Sequence, residues 1–355
     1  MSTARGKKVT EPRAGDVARL RLPVGMRDHA PAAAAVRLQV VDTVLRTFEQ
    51  AGFERVLTPA FEYEEVLALG LGAAARAATV RFVEPSSGQV VALRPDITPQ
   101  IARLIATRYR DAREPVRLCY EGTVVRLDRA ARGQRELSQA GVELAGLGGP
   151  EGDAEVIALG VAALSAAGLS RITVDLGHLG LARELLAALE LPDGALEEAR
   201  RCVAKRDGAG LDDVLKSARG SKPAIALVRM LPELTGAPSV LATAEKKAPS
   251  AGVRRALREL AAIVAAVEAR DVDARLQVDL GEVRGFDYYT GVRFQAFVRG
   301  APDAVLRGGR YVDLLGRYGR PGPAVGFAVD VEAVAGALDA AAGSSIQKKT
   351  KRGRN

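Results

Sequence analysis

Two residue types that commonly build reactive sites are nearly missing from this chain. Its 355 residues include only two cysteines, Cys119 and Cys202, and two histidines, His29 and His178. A disulfide framework and a cysteine-rich zinc centre are excluded. A histidine-based metal site or triad has too few residues to draw on, so no metal and no cofactor is implied. His178 ends the apolar segment Ile172–Leu176 and reads as structural, whereas His29, in an Arg-Asp-His-Ala-Pro turn, reads as a surface residue. Long apolar runs are also missing: stretches such as Gly160–Ala167 are too short to cross a bilayer. Met1–Asp16 is polar and basic and has no apolar core of a secretory signal, which points to the cytoplasm.

The central part of the chain lacks an excess of either charge. The formal net charge is +8. Residues 1–19 hold five cations against two acids, and residues 344–355 hold five cations and no acid, which accounts for all of the excess. Residues 20–343 are formally neutral. A nucleic-acid footprint belongs on a folded face, so solvated ends are expected rather than a nucleic-acid interface. The expected division is a basic flexible segment at 1–19, a core at 20–343 and a basic disordered tail at 344–355.

Over the whole chain, 48% hydrophobic and 26% charged residues give an ordinary soluble globular balance. Helical spacing of Val36, Val40, Val44 and Phe48 predicts a helix over Ala32–Ala51, ended by Gly52. Val80–Glu84 and Val90–Leu93 read as a hairpin about Pro85–Gly88. Val116–Arg126 and Glu136–Leu144 read as long antiparallel strands. Residues 180–270 are almost wholly helical in pattern, and strand signals return at Leu276–Leu280, Val292–Val298 and Ala324–Val329. Strands that cluster in hairpins, interrupted by a helical insert, predict an α+β fold with an antiparallel sheet flanked by helices. Phosphate loops of the GxGxxG and GxxxxGK[ST] types are absent from the sequence.

Five segments carry candidate chemistry. Leu93–Gln100 (LRPDITPQ) sets Asp96 and Thr98 between two prolines, which stiffen the backbone and display a carboxylate and a hydroxyl suited to an ammonium group. Helix capping is the plainer alternative. In the second long strand, Gln139, Gly141 and Glu143 share one face and Ala140, Val142 and Leu144 the other. The glycine leaves room for a ligand between two polar ends, unless the face simply meets solvent. Arg126, ending the partner strand, is placed to meet a carboxylate or phosphate. The loop after it contains Asp128, Arg129, Arg132 and Arg135. Val283–Val292 (VRGFDYYTGV) alternates Arg284, Phe286 and Tyr288 with Gly285, Asp287 and Tyr289, as on a strand lining a pocket or simply packing. Leu306–Tyr311 (LRGGRY) allows a close backbone approach or a hairpin turn. Pro323–Glu332 reads as a strand entering the last helix.

These segments, in this order and preceded by LPVGMRD, resemble the catalytic core of the class II histidyl-tRNA synthetases over about residues 20–335. The resemblance implies a six- or seven-stranded antiparallel sheet with a histidine pocket on one face. It assigns histidine contacts to Asp96, Thr98, Arg126, Gln139, Glu143, Arg284, Tyr288 and Tyr289. Departures accompany it. The arginine that clamps ATP in those enzymes, just after a glutamate, is replaced by Ala333 after Glu332, and the acidic-Gly-Thr motif reads Asp96-Ile97-Thr98. The phosphate-facing loop arginine falls at Arg132 or Arg135. An anticodon-binding domain would also be expected beyond the core, where only the basic tail follows.

A synthetase-like core altered in this way is similar to the regulatory-subunit family of ATP phosphoribosyltransferase, as are LRPDITPQIAR and GRYGRPGPAVGFA themselves. The resemblance implies a non-catalytic, cytoplasmic subunit for the first step of histidine biosynthesis. It further implies a homodimer unit, a short-form catalytic partner in a hetero-octamer, and L-histidine as effector. No nucleic-acid or membrane partner is expected. The competing expectation is an active histidyl-tRNA synthetase or an amino-acid-activating paralogue.

Overall fold

A computed structural model of the chain describes residues 20–113, 115–127, 133–285 and 289–352, with side chains as far as residue 342. Among these residues, twelve strands form two sheets. In chain order they are β1 (Glu54–Val56), β2 (Phe61–Tyr63), β3 (Arg81–Val83), β4 (Val90–Leu93), β5 (Val116–Val125), β6 (Glu136–Ala145), β7 (Ile172–His178), β8 (Thr235–Gly236), β9 (Ala274–Asp279), β10 (Val292–Phe297), β11 (Leu306–Tyr311) and β12 (Ala324–Asp330). The large sheet runs β1-β5-β6-β12-β11-β10-β7-β9-β8, and β2-β4-β3 form a small one.

The α+β expectation holds, with a larger sheet than the six or seven strands implied. β5 to β12 pair antiparallel through the centre, but β1 joins β5 in parallel and β9 joins β7 in parallel. Parallel neighbours need a long crossover. The β7-to-β9 crossover is the helical insert itself, which runs from the Leu179–Ala187 helix to the Ala251–Glu268 helix. Within it, Gly208–Gly210 begins the Gly208–Leu215 helix, capped by the Asp207 carboxylate on the Gly210 N–H at 2.9 Å. GGRY is a central strand, not a turn.

Period-two alternation divides the sheet into two unlike faces. Ala140, Val142 and Leu144 of β6 stand with Val325, Phe327 and Val329 of β12 and Phe294 of β10 in the main core. Helices Pro31–Gln50, Gly149–Ala166 and Ala251–Glu268 cover that face with Val44, Phe48, Ile157, Leu164, Leu260 and Ile263. The other face carries Gln139, Gly141 and Glu143 beside Gly326, Ala328 and Asp330, then Arg307, Gly309 and Tyr311, then Arg293 and Gln295. Helix Thr98–Arg108 closes one end of it, packing Ile97, Ile101 and Ile105 on Leu118, Tyr120 and Tyr311.

Candidate functional site

The cavity on the polar face measures about 150 Å³ and is lined by Asp96, Thr98, Arg126, Gln139, Glu143, Tyr289, Arg307, Tyr311 and Asp330, among others. Its floor follows from strand register. Glu143 lies opposite Gly326 on β12, Gly141 opposite Tyr120 on β5, and Gln139 opposite Gly122. At Gly326 a methyl group would lie 1.9 Å from Glu143 Oε2, and at Gly141 it would lie 2.5 Å from the Tyr120 hydroxyl. The glycines therefore create the space into which the polar side chains fold.

Glu143 is buried at the base. The Tyr311 hydroxyl donates to its Oε2, and the Tyr120 hydroxyl lies 3.5 Å from its Oε1. Tyr120 is in turn 3.4 Å from the Thr98 hydroxyl. Burial pushes the Glu143 carboxyl up to about 8, although hydrogen bonds with Thr98, Tyr311 and Tyr120 pull the other way. Nearby, the Gln139 Oε1 is buried with no partner among the described residues. Such an acceptor carries a desolvation cost that a ligand N–H would relieve.

At the mouth, the proline-stiffened segment places both of its functional side chains. Asp96 Oδ1 accepts from the Thr98 N–H at 3.1 Å, just ahead of the helix, whose N-cap Ile97 carries no side-chain cap. Its Oδ2 faces Arg126 Nη2 at 3.6 Å, while Arg126 Nε donates to the Pro95 carbonyl at 2.6 Å. Behind this segment, the Arg94 guanidinium donates to the carbonyls of Thr58, Pro59 and Thr123. It occupies the space left by Gly122, where a methyl group would lie 2.1 Å from its Nη2.

Six of the eight expected contacts thus converge: Asp96, Thr98, Arg126, Gln139, Glu143 and Tyr289. Tyr288 lies outside the described residues, as do Asp128, Arg129 and Arg132. Arg284 is not among the cavity-lining residues. Its guanidinium closes a local ion pair with Glu282, Nε to Oε1 at 3.0 Å and Nη2 to Oε2 at 2.8 Å. Of the strand expected over Val283–Val292, the described residues show Arg284–Gly285 in a turn, with Gly285 at φ +83°, and β10 beginning at Val292; Phe286 and Asp287 lie outside the described residues. Arg135 packs on Gly25 of the LPVGMR turn and donates its N–H to the Gly25 carbonyl at 2.9 Å.

Tyr120, Tyr311, Arg307 and Asp330 were not singled out from the sequence. A signal existed for two of them: Tyr311 ends GGRY, and Asp330 follows the β12 pattern. Asp330 Oδ1 accepts from the Ala333 N–H at 2.9 Å, which caps the terminal Val331–Arg352 helix. Ala333 itself is buried in the main core and supplies no cation to the cavity. Among the described residues no cluster of histidine, cysteine and carboxylate groups is arranged to hold a metal ion, and no helix is long and apolar enough to cross a membrane.

The profile of the family described as histidyl-tRNA synthetase matches residues 25–334. The chain is 40% identical over 319 residues to the ATP phosphoribosyltransferase regulatory subunit of Geobacter sulfurreducens, covering 90% of this chain and 73% of the relative. It is 42% identical to the protein of the same name from an Anaeromyxobacter species (strain Fw109-5), covering 91% and 94%. A Bacillus halodurans crystal structure described as an ATP phosphoribosyltransferase regulatory subunit/histidyl-tRNA synthetase superposes with a TM-score of 0.83 at 29% identity, over 93% of this chain and 84% of that one. Histidyl-tRNA synthetase from a Nostoc species shares the fold, with a TM-score of 0.74 at 20% identity over 89% and 74%. With a synthetase fold, relatives of one name at about 40% identity and no cation at position 333, the chain belongs to the ATP phosphoribosyltransferase regulatory subunit family, a histidyl-tRNA synthetase-like group.

Proposed function

We propose that this non-catalytic subunit serves the first step of histidine biosynthesis by sensing L-histidine in the Glu143 cavity and passing its occupancy to a catalytic partner. The observation that carries the reading is that one cavity holds both the buried Glu143 carboxyl group and the Gln139 Oε1, which has no partner among the described residues. A ligand rich in N–H groups satisfies both. In this reading the imidazole N–H donates to Glu143, and the ammonium group meets Asp96, Thr98 and Gln139. The carboxylate of histidine meets Arg126, whose guanidinium fits it in two-pronged fashion. Tyr289 flanks the ring. Arg284 and Tyr288 complete the set if Arg284 leaves Glu282 when histidine binds.

The partner in this proposal is a short-form ATP phosphoribosyltransferase catalytic subunit, joined with homodimers of this chain in a cytoplasmic hetero-octamer. Feedback is then a coupling free energy between histidine binding and subunit packing, typically about 1–3 kcal/mol. The test mixes the chain with such a catalytic subunit and measures phosphoribosyl transfer with and without histidine. Activation that histidine reverses, and that Glu143→Ala makes insensitive to histidine, is the expected result. Neither complex nor activation would end the proposal, and histidine-dependent ATP–pyrophosphate exchange by the chain alone would replace it with the synthetase reading.

A further inference from the structure

Among the described residues, the helical insert is hydrogen-bonded to the main chain of Tyr289–Gly291, and Tyr289 lines the cavity. Tyr289 stands over Gly309 of β11, where a methyl group would lie 2.6 Å from the ring Cδ1, and beside Gly285, where it would lie 3.1 Å from Cδ2. The ring therefore fits a slot made by two glycines, and its place depends on where the Tyr289–Gly291 backbone is fixed.

That backbone is held by the sheet and by the insert, and the Tyr289 N–H also donates to the Gly285 carbonyl at 3.0 Å. The sheet holds it through β11: the Thr290 and Gly291 N–H groups donate to the Arg310 carbonyl at 2.9 and 3.3 Å, and the Val312 N–H donates to the Thr290 hydroxyl oxygen at 2.9 Å. The insert holds it through its first helix, Leu179–Ala187. The Leu179 N–H, one of those a helix leaves without an internal acceptor, donates to the Gly291 carbonyl at 2.9 Å. One turn on, Arg183 Nη2 donates to the Tyr289 carbonyl at 3.2 Å. His178 fixes the start of the same helix, its Nδ1 accepting from the Leu181 N–H at 3.1 Å. Arg183 is exposed and lies outside the hydrophobic core.

We propose that Arg183 is a positioning residue for the effector cavity: it ties the insert to the Tyr289 carbonyl and so sets the ring over the ligand space. The proposal rests on the effector reading above and adds the insert to the sensing machinery. Displacement of the Leu179–Ala187 helix, by a partner or by substitution, then moves Tyr289.

The test uses the full chain and two measurements. Calorimetric titration with L-histidine compares the wild type with Arg183→Ala and Arg183→Lys. The alanine variant is expected to bind about three- to tenfold more weakly, the range suited to one exposed charge-assisted hydrogen bond. Its thermal midpoint should not move, because no core contact is lost, and the lysine variant, which keeps one donor, should recover part of the affinity. Equal affinities for wild type and alanine variant would overturn the proposal. Amide hydrogen exchange gives a readout without histidine. Thr290 and Gly291 are expected to exchange several-fold faster in Arg183→Ala, and unchanged exchange would overturn the proposal by itself. A wild-type chain that binds no histidine, with faster exchange in the variant, would remove the effector reading and leave the positioning role standing.

Discussion

Glu143 faces Gly326 across the β6–β12 register, and nothing larger than a hydrogen atom fits at position 326 beneath its carboxylate. The opposing backbone is as unforgiving, since the same methyl group would lie 2.4 Å from the Val142 carbonyl oxygen. Gly326→Ala should therefore displace Glu143 and cost about 1–3 kcal/mol as an overpacked site. Urea unfolding and histidine titration should both report the change. Wild-type stability with wild-type binding would show that the carboxylate does not need this place.

Glu143 also makes stability depend on pH with a definite sign. Its carboxyl is raised from an ordinary 4.5 to about 8 in the folded chain, chiefly by burial. Between those values the folded state holds a proton that the unfolded state has released, so stability falls as pH rises through that window. The contribution is fully present below about pH 4.5 and lost above about pH 8. In Glu143→Gln this slope should disappear from the melting temperature measured against pH, and a slope that survives must come from other groups.

On the opposite face, Arg310 reaches back from the next-to-last residue of β11 to Asp153 in the Gly149–Ala166 helix, Nη2 to Oδ1 at 2.7 Å, with the acid fully buried. Removing one partner leaves the other charge stranded. Arg310→Met should cost about 3–5 kcal/mol in urea unfolding. The double change Arg310→Met with Asp153→Leu should cost less than the two single changes together. Additive losses would mean that the pair does not interact in solution.

Arg126 and Arg284 separate two views of the cavity. Arg126 lies at its mouth against Asp96, whereas Arg284 is held outside it by Glu282. Arg126→Ala should weaken histidine binding by about tenfold or more, as loss of a charge-assisted contact would. Arg284→Ala should change it less. An equal or larger loss for Arg284 would show that it leaves Glu282 when ligand binds.

How much of this was legible in the sequence varies with the range of the interaction. The helix over Pro31–Gln50, the β3–β4 hairpin and the long β5–β6 pair were readable because apolar spacing and turn residues act locally. The polar face of β6 was readable for the same reason, and it placed Gln139 and Glu143 in the cavity. The parallel attachment of β1 and β9 was not, since a crossover partner leaves no mark in either strand. The start of Val283–Val292 misled because alternation suggests a strand, while Gly285 at positive φ and the Arg284–Glu282 pair make a turn there.

By itself, then, the sequence determined the antiparallel centre of the sheet, the family resemblance and six of the side chains that line the cavity, because residue type and short spacing fix those. Only the tertiary structure decided which side chains meet. Tyr120 and Tyr311 come from strands 191 residues apart in the chain, yet both reach Glu143. Arg183 of the insert reaches Tyr289 across 106 residues. Such contacts depend on register between distant strands and on where a crossover helix lands, and no local pattern encodes either.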